Sequence, residues 1–147
     1  METVEAIKVH GMFRVNIVNP NGEIVGDSGW RKNAVTDLGF NKFLIMSLGS
    51  IAGSLYVSHM ALGTGAEPAV ADTALDGELV KRQAVTAATS ATTFASANSF
   101  TSATQNISNI GLFNSSSTGS IFAGNTFASS SCATNQSVNC TYDVTFA

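Results

Sequence analysis

The chain has 147 residues, 44% of them hydrophobic, and a formal net charge of −3 from seven basic and ten acidic side chains. That length fits one domain with a single core, and such hydrophobicity excludes intrinsic disorder, which needs low hydropathy and high charge. The few, scattered Lys and Arg exclude a nucleic-acid binder, because each phosphate contact normally takes a basic side chain.

The start, Met1-Glu2-Thr3-Val4-Glu5, is acidic and lacks an apolar run, so no signal peptide is expected. Ile7, Val9, Gly11, Phe13, Val15 and Ile17 alternate with Lys8, His10, Met12, Arg14 and Asn16, the period of a long half-buried strand. Asn19-Pro20-Asn21-Gly22 predicts a turn and Glu23–Trp30 its returning partner, giving an N-terminal hairpin over 6–31.

Gly26-Asp27-Ser28-Gly29 matches the tetrapeptide around the nucleophile of chymotrypsin-like serine proteases. Trp30 stands where those enzymes have another Gly, and only His10 precedes Ser28, so the triad logic fails. The tetrapeptide reads as a turn, with Trp30 packed inward.

At Thr36 the period changes. Thr36 or Asp37 can cap a helix over 37–48 whose apolar positions Leu38, Phe43, Leu44 and Leu48 fall near helical spacing, with Gly49 as its stop. It would plug one end or face of a sheet. The apolar stretch from Phe43 to Leu62 is interrupted by Ser47, Gly49, Ser50, Gly53, Ser54, Ser58 and His59 and is too broken to span a membrane. Leu55–Leu62 reads as a strand.

Gly63-Thr64-Gly65 lacks the Lys of a phosphate loop. Glu67, Asp72, Asp76 and Glu78 gather carboxylates that hard cations accept, yet no EF-hand spacing is present, so a solvated loop without metal is expected. His10 and His59 read as surface or interface residues, with no nucleophile or second ligand at motif spacing.

From Gln83 to Tyr142 sixty residues pass without a charged side chain. The stretch divides into strand-sized pieces: Leu79–Ala88, Thr92–Phe100, Asn106–Phe113, Gly119–Ala128 and a final alternation of Val138, Cys140, Tyr142, Val144 and Phe146. The whole predicts an all-β fold over 1–147: an antiparallel β-sandwich, jelly-roll-like or Ig-like, of about eight strands with one short helix near 37–48. With neither charge nor blocking Lys on the later strands, their outer faces and edges are expected to be covered by neighbouring subunits.

Cys132 and Cys140 enclose seven residues. Two readings stay open: a pair of reduced thiols, or a disulfide closing a hairpin loop once the protein leaves a reducing compartment. No catalytic constellation and no cofactor site emerges. A small hydrolase built on Ser28 is the weakest of the readings.

The order of parts is nonetheless distinctive. A strand pair ending near Trp30 and Asn33 leads to the Thr36–Leu48 segment, then to Met60-Ala61-Leu62-Gly63-Thr64-Gly65, Pro68, Asp72-Thr73-Ala74-Leu75, Glu78-Leu79-Val80 and Asn109-Ile110-Gly111-Leu112-Phe113. In this order the chain resembles a loose group of small virion structural proteins of tailed bacteriophages, over residues 7–146. In that group an acid usually precedes Gly-Leu-Phe, where this chain has Ser108 and Asn109, and the Cys132/Cys140 pair is outside the pattern. The resemblance implies a non-catalytic virion protein made in the host cytoplasm, most often a capsid decoration (cement) protein. Its partners would be copies of itself, as a trimer by analogy, and the major capsid protein, with neither nucleic acid nor membrane. The alternative it implies is a tail or fibre module for host attachment, in which Tyr56, Asn114 and the Ser115–Ser117 loop would meet a surface sugar.

Overall fold

The computed structural model describes residues 9–46, 55–79, 82–88, 93–98 and 104–146. Eleven strands lie among them: β1 (Val9–Val18), β2 (Ile24–Asp27), β3 (Arg31–Lys32), β4 (Ala34–Val35), β5 (His59–Gly63), β6 (Gln83–Ala84), β7 (Thr86–Ala88), β8 (Thr93–Asn98), β9 (Gln105–Phe113), β10 (Ile121–Cys132) and β11 (Ser137–Phe146). They form two antiparallel sheets packed on each other. One runs β2-β1-β11-β8-β7, with β3 also on β1, and the other runs β4-β10-β9-β5-β6. The all-β sandwich expected from periodicity is the fold observed.

The centre of the first sheet is the pair predicted most cleanly. β1 and β11 pair without a break from Val9↔Phe146 to Val18↔Ser137. Their period-two patterns agree in register: Phe13 faces Tyr142, Val15 faces Cys140 and Ile17 faces Val138, all buried. Phe13 stacks on Tyr142 at 5.8 Å and meets Phe127 of the opposite sheet edge-on at 6.2 Å. A one-residue slip of either strand would turn its three core side chains to the other face, which is why this register is well specified.

The strand count exceeds the expected eight because the chain switches sheets at both sides of the sandwich. On one side β3 borders the first sheet and β4, one residue later, borders the second. There Asn33 N–H bonds Gly11 O, and Asn125 Nδ2 of β10 donates to Lys32 O. On the other side the predicted strand 79–88 splits into β6 in the second sheet and β7 in the first, with Val85 N–H on Ser58 O between them. Among the described residues, the outermost strands of both sheets are two to four residues long, and such short strands offer little template for further pairing.

The helix departs from expectation in type. The chain is helical from Asp37 to Met46, but Gly39–Ile45 has π winding, and Met46 N–H reaches back five residues to Asn41 O. The cap is as predicted: Thr36 Oγ1 accepts Gly39 N–H at 3.0 Å and donates to Ile121 O at 2.7 Å. Gly39 lies so close to β10 that an added Cβ would sit 2.3 Å from Phe122 O. The wider turn brings both Phe43 and Leu44 to the core, where the Phe43 ring lies 5.2 Å from that of Phe122. Gly49, the expected stop, and Ile7 and Lys8 of the first predicted strand lie outside the described residues.

In the second sheet the chain itself covers part of the uncharged strands. Ile110, Leu112, Met60 and Leu62 face the main core, while Ala61, Phe113 and Ile121 on the opposite face are also fully buried. What covers them is the protein's own 64–78 loop, through Leu75 and the buried Pro68, whose ring lies near Gly124. From Asn109 to Phe113 both faces of β9 are interior, which leaves no place for charge there. On the first sheet, Arg14, Asn16, Asn139 and Thr141 point outward and are half-exposed.

Trp30 is also corrected. It is 47% exposed, because it lies in the turn between β2 and β3, after Gly29 at φ +67°, and belongs to neither strand.

Candidate functional site

Ser28 is committed to the backbone. Its Oγ accepts Val15 N–H at 2.9 Å and donates to Gly29 O at 2.7 Å, so it fastens β2 to β1 and closes the turn. Asp27 beside it accepts Arg14 Nε at 3.0 Å and Gly29 N–H at 2.8 Å. The Arg14 guanidinium, then the Gly29 amide, holds its carboxyl down at about 2, against an ordinary 3.8. His10 lies exposed on β1. His59 Nδ1 shares a 2.8 Å hydrogen bond with the adjacent Ser58 hydroxyl.

The acidic segment forms a structured loop. Asp72 accepts Ala69 N–H at 2.8 Å, Asp76 accepts Ala66 N–H at 3.2 Å, and Glu78 pairs with Arg82 at 2.9 Å. These carboxylates therefore tie the loop to itself, beside a cleft of about 490 Å³ lined by Glu67, Asp72, Leu75 and Asp76 among others. Among the described residues, no group of three or more His, Cys, Asp or Glu is placed to hold a metal ion.

Asn109 anchors this loop from below. Fully buried, it donates from Nδ2 to Ala66 O at 3.1 Å and to Asp76 O at 2.9 Å. A carboxylate there could only accept, so the amide suits two carbonyl partners where an acid would not. Gly63 leaves room for it: an added Cβ would lie 2.3 Å from Asn109 Oδ1.

Arg82, which sequence reasoning passed over, organises the same end of the second sheet. Its side chain is 5% exposed. It pairs with Glu78, stands 3.6 Å from the Phe113 ring centroid, and donates to Ser115 O and Thr118 O in the β9–β10 loop. The available signals were its i,i+4 spacing from Glu78 and its place as the last basic residue. Asn114 Oδ1 accepts Ser120 N–H at 2.7 Å, so Asn114 braces the loop, while Ser116–Thr118 at the tip are exposed. Tyr56 is 76% exposed. It precedes Ser58, whose N–H bonds Phe113 O, which puts it at this end too.

Cys132 and Cys140 are both buried, as reduced thiols. They lie on strands of different sheets, and β10 and β11 are not hydrogen-bonded neighbours. A bond between them would join the two sheets and not, as the sequence suggested, close a hairpin. Burial, and secondarily the nearby Cys132, pushes the Cys140 thiol up, which keeps it inert.

Most polar side chains in these places are thus engaged in holding backbone. Three surfaces are exposed: the Ile24, Val25 and Trp30 flank, the outer face of β1 and β11, and the Tyr56 end. No protein-family model, curated protein or solved structure matches this chain.

Proposed function

We propose that the chain is a non-catalytic virion structural protein of a tailed bacteriophage, a decoration protein that stabilises the capsid by packing on it. The observation that carries this reading is the outer face of the first sheet. Its β1 side carries Arg14, Asp27 and Lys32, while β11 is hydroxyl- and amide-rich and half-exposed, with Asp143 at its end and no charge between Gln83 and Tyr142. Such a face suits burial against protein better than life in water. The motif order of the phage virion group supports the same reading. The partners in this reading are the major capsid protein and further copies of the chain.

The test is addition of purified protein to heads that lack it. Saturable binding to heads, with raised resistance to heat or osmotic shock, is the expected result. Binding to tails or to host cells alone would overturn it.

A second reading has its own observation. Tyr56, highly exposed, shares one end of the second sheet with the Ser116–Thr118 tip, an arrangement suited to stacking on and hydrogen bonding a sugar. This is the tail or fibre module for host attachment, and cell binding lost in Tyr56→Ala would favour it.

A further inference from the structure

We infer that the β2–β3 flank is a two-fold interface between copies of this chain. Three of the five large hydrophobic side chains exposed among the described residues fall there within seven positions: Ile24 at 57%, Val25 at 49% and Trp30 at 47%. β2 and β3 lie one after the other along the same edge of β1, β2 beside Asn16–Val18 and β3 beside Met12–Phe13. The flank is therefore a single line, with Glu23 at one end and Arg31 and Lys32 at the other.

That line is charged in opposite senses at its ends. Glu23, Arg31 and Lys32 are exposed, and none forms an ion pair among the described residues. A two-fold axis through the middle of the flank reverses its direction in the second copy. It brings Glu23 of each copy to the Arg31–Lys32 end of the other and sets Ile24 and Val25 of each against Trp30 of the other, with the Asp27–Arg14 ion pairs between. Apolar contacts set inside complementary charged ends are the pattern of a specific interface, with the indole as its natural anchor. A second copy is thus the occupant to which the charges commit the surface.

The contact is made by side chains and not by adding strand to strand. β2 is short, its register shifts between Ile17 and Val18 so that Val25 bulges, and Lys32 closes the far end. These features obstruct edge-to-edge pairing of backbones.

The inference deepens the reading of a protein that works by packing, but it is tested on the purified chain alone, so its failure is distinguishable from failure to bind heads. Sedimentation velocity over a wide concentration range should show a reversible dimer. Trp30→Ser should weaken it at least about tenfold with unchanged circular dichroism, since Trp30 lies outside the core. Glu23→Lys and Lys32→Glu should each weaken it, and the double swap should restore it, because each copy then carries the reversed pair. A monomer at every concentration, a trimer, a dimer indifferent to Trp30→Ser, or a double swap no tighter than the single ones would each overturn the inference.

Discussion

Asp27 shows how closely the β2 turn is specified. It accepts three hydrogen bonds in its charged form, two from Arg14 and one from Gly29 N–H, and all favour ionisation. Its carboxyl is lowered from 3.8 to about 2. A folded value below the unfolded one means the contribution to stability is fully present above the unfolded value and fades as pH falls toward about 2. Both side chains are well exposed, so the effect on overall stability is small. Direct titration by carboxyl NMR should place Asp27 near 2 in the native protein and higher, toward 3.8, in Arg14→Gln. An ordinary value in the native chain would refute the turn geometry. At this scale the sequence was readable where one residue does one job: Thr36 as cap, Gly29 as turn. It misled where identity suggested burial, as for Trp30, because hydropathy does not tell which side of a turn an indole takes.

Among elements, the loop over 64–78 and the clasp at Arg82 carry the most consequence. Leu75, 5% exposed, seals Ala61, Phe113 and Ile121 from water. Leu75→Ala should cost about 2–4 kcal/mol in denaturant unfolding and raise binding of a hydrophobic dye in the native state; neutrality would mean the loop does not cover that face. Arg82→Ala removes the Glu78 pair, the Phe113 contact and both loop carbonyl bonds. Because Glu78 keeps partial access to solvent, the cost should be about 1–3 kcal/mol. Amide exchange should quicken within Asn114–Ser120 but not in β1 or β11. Exchange rates unchanged in that loop would show Arg82 is not its clasp. Strands β1 and β11 were legible because one face is wet and the pattern alternates. The Asn109–Phe113 half of β9 was less so, since burial on both faces erases alternation. The short strands β3 and β4 left no periodic trace, and β6 and β7 read as a single strand, because two or three residues cannot show where the chain changes sheets.

For the whole molecule, the uncharged half has two separate explanations. Around Ala61, Phe113 and Ile121 of the second sheet the missing charge reflects cover by the protein's own loop. In the first sheet the outer face along β11 remains half-open, and there the proposed packing against a particle takes over. Periodicity made the sandwich readable. The loop cover was not, because it depends on Leu75 and Pro68 reaching strands remote in sequence. Nor was the inter-sheet placement of Cys132 and Cys140, since seven intervening residues look the same whether the chain turns within a sheet or crosses between two.

The central claim is that this chain acts by coating a capsid, and copy number tests it most directly. Quantitative mass spectrometry of purified particles should find it in numbers comparable to the major capsid protein. Only a few copies per particle, or none, would contradict the account.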